Sequence, residues 1–312
     1  MNYLKTSRLY THKKLNLKPV KTLFATSNSV NIEEFQQKAF YPELPLLLSD
    51  NANITDTISQ NLSLPATRKW FTNSVSASGE RSVILSREYL NPYDSTILPY
   101  EMMGPLHKSL INLLRTIKGA DSFAGCTEQF HQFQAPFALM LNCRIKGLYI
   151  AQAPLTDLPS QLQHDFPTPK IVAKAGRGDI YNANIWIGYP PTYTPLHRDP
   201  NPNLFIQLIG IKKVRLFKPD IGLRIFQKVQ RNIGEVEHNG VIRGREMMEG
   251  AERKELEKII WGPSVDYSLD GMEVIVKSGD SLFIPKGWWH SIKGLQDADP
   301  KGINASVNWW FR

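Results

Sequence analysis

Residues 194–217 read TPLHRDPNPNLFIQLIGIKKVRLF. Two residues apart on an extended segment, His197 and Asp199 share one face. Each can then give one ligand to a metal. A second histidine from elsewhere would complete a facial set with three open cis positions, the arrangement of iron(II) oxygenases. His-X-Asp is short enough to arise by chance, so its surroundings must carry the reading. Leu204–Ile209, Gly210 and Ile211–Phe217 predict a hairpin directly after it. In the second strand Lys212, Val214 and Leu216 share a face, and Lys213, Arg215 and Phe217 share the other. Alternation thus sends Lys212 inward, where a lysine is costly unless it meets an anion. The strand offers no acidic partner; a bound dicarboxylate would serve.

Further along, Gly279–Pro285 reads as a turn, a buried strand and a stop, followed by Lys286-Gly287-Trp288-Trp289-His290. With period 2, Trp288, His290 and Ile292 share a face. Taken alone, His290 is a core histidine with a satisfied hydrogen bond. Short apolar runs recur at 138–142, 147–151, 183–187, 204–209, 213–217, 274–277, 281–284, 290–293 and 305–311, punctuated by Pro and Gly. Many short strands at close spacing predict a sandwich or barrel. Leu106, Leu110, Leu113 and Leu114 predict a helix over 101–117. Residues 220–262 are rich in helix formers, with basic residues and glutamates in balance, and predict a solvated helical insertion.

The chain has 312 residues, long enough for one large domain or two small ones. Its 21% charged and 42% hydrophobic residues are ordinary globular usage. Two cysteines, Cys126 and Cys143, exclude a disulfide scaffold or a zinc ribbon. No run is long enough to span a membrane. The net charge of +8 is concentrated: residues 1–32 carry six basic residues and no acidic one, leaving about +2 for the rest. A basic, hydroxyl-rich, acid-free segment suits a mitochondrial transit peptide or a disordered basic tail. The expected organisation is a leader over 1–32 and one domain over 33–312.

Together these stretches resemble the JmjC (cupin-like) Fe(II)- and 2-oxoglutarate-dependent oxygenases. The resemblance runs from Thr194 through Asn203 to Lys212, over Gly279–His290, and into Ser306-Val307-Asn308-Trp309-Trp310. Tyr149-Ile150-Ala151-Gln152 and Leu158-Pro159 with Asp165 are similar to the segment preceding the family's barrel. The layout is closest to small JmjC-only hydroxylases, such as the factor-inhibiting-HIF type of asparaginyl hydroxylase. The resemblance implies a double-stranded β-helix, a jelly roll that is mainly β with decorating helices. It implies His197, Asp199 and His290 as iron ligands. It implies Lys212, fifteen residues after His197, and Thr194 as partners of the far carboxylate of 2-oxoglutarate, joined in some members by Tyr149. Asn203 and Asn308 match polar positions lining the pocket, and Trp310 an aromatic near the iron. Buried Tyr and Trp are also ordinary core residues, so both readings stand for Tyr149, Asn203 and Trp310. Trp288, Trp289 and Trp309 read as packing.

The implied cofactors are Fe(II), 2-oxoglutarate and O2, and the implied reaction hydroxylates a protein side chain with release of succinate and CO2. Three other readings stay open: a tRNA-modifying JmjC hydroxylase, which the near-neutral body supports weakly, a histone lysine demethylase, and an inactive cupin-like binding module. Small hydroxylases of this type often form homodimers.

Overall fold

The computed structural model describes residues 15–49, 64–76, 78–103, 130–234, 245–248, 250–262, 269–295 and 302–312. Sixteen strands follow one another among them. They are β1 (Asn16–Pro19), β2 (Lys21–Leu23), β3 (Leu46–Leu48), β4 (Phe71–Val75), β5 (Arg81–Leu85) and β6 (Ile97–Met103). Then come β7 (Phe130–Pro136), β8 (Leu148–Pro154), β9 (Ile180–Gly188), β10 (Tyr193–Arg198) and β11 (Asn203–Ile209). The last are β12 (Ile211–Phe217), β13 (Asp270–Lys277), β14 (Ser281–Ile284), β15 (Trp289–Gly294) and β16 (Asn304–Phe311). A five-stranded sheet runs β1-β13-β12-β15-β10, and a nine-stranded sheet runs β2-β3-β14-β11-β16-β9-β8-β6-β7. The two make the jelly roll, mainly β with helices around it, that the resemblance implies.

The interior is built by alternation. Phe205, Leu282 and Ile284 from the larger sheet meet Val214, Leu216, Val274 and Val276 from the smaller one, with Trp288 among them. That closes one end of the space between the sheets. A second, larger core lies on the far side of the nine-stranded sheet, where Phe35 meets Phe283 edge-on at 5.1 Å. A third holds the insertion. Helix α1 (Pro219–Ile233) and helix α2 (Gly250–Trp261) lay Ile225, Phe226, Val229, Leu256 and Ile260 over Leu196, Phe217 and Trp289. The approach is close: a Cβ on Gly222 would lie 2.0 Å from Trp289 Cγ. Trp288, Trp289 and Trp309 are all core residues.

Four expectations need correction. The hairpin of residues 204–217 does not exist. β11 pairs with β14 and β16, β12 with β13 and β15, so the chain crosses between sheets at Gly210. That crossing needs a glycine: φ is +79° there, and a Cβ would sit 2.9 Å from the Asn304 amide nitrogen. Residues 138–142 are helix rather than strand. Leu139, Met140 and Leu141 are all buried, and a short run apolar on every side reads the same in either structure. The helix expected from residue 101 cannot start there, because Glu101 and Met102 continue β6, paired with β7 and β8. Leu106 to Leu114 lie outside the described residues.

The fourth concerns the leader. β1 pairs with β13 and β2 with β3, so the folded body reaches back to about residue 15 rather than 33. Lys18 and Lys21 are exposed on these strands, where charge discourages edge-to-edge association. Residues 1–14 lie outside the described residues. No helix among the described residues is long and apolar enough to cross a membrane.

Candidate metal centre

β10 and β15 are antiparallel neighbours, and their register places His197 opposite His290. The two imidazole centroids lie 4.2 Å apart. Asp199 follows β10 in a turn fixed by its carbonyl, which accepts from the Gly287 amide at 3.0 Å. The potential ligand atoms of His197, Asp199 and His290 lie within 4.8 Å of one another, and all three residues are buried. Neighbouring groups set the chemistry of this cluster. Nδ1 of His197 lies 2.8 Å from the Pro195 carbonyl, and Nδ1 of His290 lies 3.1 Å from the Trp288 carbonyl. A carbonyl only accepts, so Nδ1 carries a proton in each ring and Nε2 is the nitrogen left to face the cluster. Asp199 Oδ2 accepts from Asn203 Nδ2 at 2.9 Å, while Oδ1 is buried with no hydrogen-bond partner. Burial and the neighbouring His290 hold the His197 pKa well below the imidazole range, against the pull of Asp199. Two imidazoles and a half-satisfied carboxylate are the donor set a divalent cation would complete, and they suit iron(II).

A cavity opens over these atoms. Its lining includes every residue that the resemblance singled out: Tyr149, Thr194, His197, Asp199, Asn203, Lys212, His290, Asn308 and Trp310. Lys212 points inward, as alternation requires, and is 2% exposed. Its ammonium donates to Ser306 Oγ at 2.7 Å and to Tyr149 Oη at 3.1 Å, and it lies over the rings of Phe205 and Tyr149. All of these partners are neutral. Burial alone lowers its pKa to about 7. Burial, helped by the charge of Glu101, pushes the Tyr149 phenol up. The cavity therefore has a metal-ligand end and a cationic end.

Asn203 and Asn308 form a polar chain on the larger sheet. Trp186 Nε1 donates to Asn308 Oδ1 at 2.8 Å, Asn308 Nδ2 faces Asn203 Oδ1 at 3.4 Å, and Asn203 holds Asp199. Trp310 Nε1 is buried with no hydrogen-bond partner.

Sequence reasoning missed the lining residues Trp186 and Phe205 and, behind Lys212, Ser306. Alternation would have found them. Phe205 is two residues from Asn203, and Ser306 two from Asn308. Register then places Trp186 opposite Ser306. Gly188 was missed too. A Cβ there would lie 2.4 Å from Tyr149 Cδ2, so only glycine lets β9 pass behind that ring.

The family model of the cupin-like domain matches residues 117–312. Lysine-specific demethylase JMJ30 of Arabidopsis thaliana is 27% identical over 166 residues, covering 52% of this chain and 33% of that protein. JmjC domain-containing protein C of Dictyostelium discoideum is 28% identical over 171 residues, covering 53% and 35%. Lysine-specific demethylase 8 of Danio rerio is 27% identical over 167 residues, covering 52% and 36%. The matched region thus spans about a third of the length of these curated relatives.

Proposed function

The chain belongs to the family of cupin-like domains, in its JmjC branch, and on that premise we propose that it is an Fe(II)- and 2-oxoglutarate-dependent dioxygenase that hydroxylates a protein side chain. Enzymes of the JmjC family use Fe(II), 2-oxoglutarate and O2. One observation carries the assignment to this cavity: a buried lysine with no carboxylate partner shares it with a buried His-Asp-His cluster whose carboxylate is half satisfied.

Iron(II) held there would supply dioxygen activation coupled to decarboxylation of 2-oxoglutarate to succinate and CO2. The side chains of this chain do the rest. His197, His290 and Asp199 hold the metal, and Asn203 fixes the carboxylate. Lys212 gives the charge that receives the far carboxylate of 2-oxoglutarate, with Tyr149 and Thr194 as neutral donors. A charge-assisted pair in so dry a site is strong and orients the cosubstrate. Phe205, Trp186, Ile292 and Trp310 wall the cavity and exclude water from the reacting atoms. No side-chain general base is required.

Two relatives are named as lysine-specific demethylases, which favours a second reading of the same site. There the hydroxylated carbon is an N-methyl group, and the product collapses with loss of formaldehyde.

The test is succinate formation from 2-oxoglutarate by the purified chain with iron(II) and ascorbate, beside His197→Ala and Lys212→Ala. Turnover by wild type and loss of about 100-fold or more in both variants is expected. A wild type that binds neither iron(II) nor 2-oxoglutarate overturns the assignment and leaves a binding module. With peptide substrates, a gain of one oxygen supports hydroxylation, and formaldehyde release supports demethylation.

A further inference from the structure

The metal ligand His197 and the cosubstrate partner Thr194 sit on β10, an edge strand whose one strand neighbour is β15. The ladder between them is broken. Tyr193 and Thr194 face Lys293 and Ile292, and His197 faces His290. Three steps on β10 thus match two on β15, a bulge of one residue at Pro195 and Leu196, opposite Ser291. Proline has no N–H to give to the ladder, and bulges commonly re-aim a side chain beside an active site. Thr194 is the last paired residue before the break, and the ladder gives no register partner to the two residues that follow it.

Side chains take its place. Ser291 Oγ donates to the Thr194 carbonyl at 2.8 Å, and Trp261 Nε1 donates to Ser291 Oγ at 2.9 Å. Ser291 is fully buried, so its hydroxyl links Trp261 to the Thr194 carbonyl out of contact with water. Trp261 is the last residue of helix α2, in the insertion. The same helix reaches β10 a second time. Arg253 lies over the Tyr193 ring at 4.9 Å, with Lys293 over that ring at 5.2 Å. Glu257 joins the two cations, at 3.8 Å from Arg253 and 2.7 Å from Lys293. Arg215 and Lys293 in turn hold the Trp261 ring, at 4.4 Å and 5.2 Å.

We propose that Trp261 is a positioning residue for 2-oxoglutarate: through Ser291 it fixes Thr194 at the edge of the bulge in β10, so the insertion sets cosubstrate affinity without touching the cavity. Trp261 is absent from the cavity lining, and this role rests on the reading of Thr194 and Lys212 given above. A substitution in the insertion should then change the hold on 2-oxoglutarate while leaving the metal ligands alone. His197 lies on the other side of the bulge, where regular pairing with His290 resumes.

The test is calorimetric titration of 2-oxoglutarate into the full chain loaded with manganese(II), using wild type, Trp261→Phe, Ser291→Ala and the double variant. Phe keeps an aromatic ring between Arg215 and Lys293 and removes only the donor. Each single variant should bind 2-oxoglutarate about three- to tenfold more weakly, the worth of one hydrogen bond. The double variant should be no weaker than Ser291→Ala, because both act through one path. Manganese(II) affinity should stay within about twofold. Wild-type 2-oxoglutarate affinity in Trp261→Phe, multiplying losses in the double variant, or a parallel loss of manganese(II) affinity would each overturn the proposal. A wild type that binds manganese(II) and no 2-oxoglutarate would instead overturn the cosubstrate reading beneath it.

Discussion

Asp165 and Asp199 are buried to nearly the same degree, 0% and 2% exposed, and they differ in what surrounds them. Asp165 collects three donors: Lys69 Nζ at 2.6 Å, Trp70 Nε1 at 2.9 Å and Tyr89 Oη at 2.7 Å. Its backbone carbonyl also accepts from the Ala66 amide. It ties the helices Pro65–Lys69 and Arg87–Leu90 to the segment after β8, and the structure leaves it nothing to bind. Among the described residues Asp199 has one donor on Oδ2 and none on Oδ1, and beside it stand two imidazoles. Lys212, in the same cavity, is a buried cation with neutral partners only. A buried charge that is fully paired holds a fold together. A buried charge left short of partners is a standing cost, which a ligand can relieve.

The sharpest way to break this comparison is to neutralise one carboxylate of each kind. Asp199→Asn should lower manganese(II) affinity by about 100-fold or more. Its metal-free stability in urea should stay within about 1 kcal/mol of wild type or rise, because an unpaired charge is removed. A large loss of metal-free stability would show that Asp199 is structural like Asp165. Asp165→Ala should do the reverse. Removing the partner of Lys69, Trp70 and Tyr89 should cost about 3 kcal/mol of stability, while the folded fraction keeps its manganese(II) affinity. Unchanged stability would remove the hub.

A smaller effect concerns Lys212. Its folded pKa of about 7 lies below the 10.5 of a free lysine. Between these values the unfolded chain binds more protons than the folded one, so stability rises with pH across that window. Below about pH 7 both states are protonated, and the burial penalty is present in full. Lys212→Met removes the titrating group. The wild-type-minus-variant difference in metal-free stability should therefore rise by roughly 1 kcal/mol per pH unit above pH 7. A flat difference would mean that the lysine has found an anion within the protein.

The cavity was legible where strand alternation governs. His197 and Asp199, the inward turn of Lys212, and the shared face of Asn308 and Trp310 follow from a period of two, which the sequence displays directly. Where the pattern is ambiguous, the reading failed. Residues 138–142 are apolar on every side, so no period separates helix from strand. The basic residues 16–23 look like a solvated leader, yet their backbone completes the edges of both sheets, a role that composition does not encode. Hydrogen-bond partners were equally hidden: Ser306 beneath Lys212 and Trp261 behind Ser291 are joined to them across 94 and 30 positions of chain.

The sequence by itself determined the strand-rich fold class and which side chains face inward, because these depend on local periodicity and the cost of burying charge. Only the tertiary structure decided which strands are neighbours. It turned an expected hairpin into a crossover at Gly210, because β11 and β12 find their partners in different sheets. It set His290 opposite His197, because β15 pairs with the edge strand β10. It also laid the insertion behind the bulge that carries Thr194. Pairing across such distances is fixed by the packing of the whole barrel, and no short stretch of the chain contains that information.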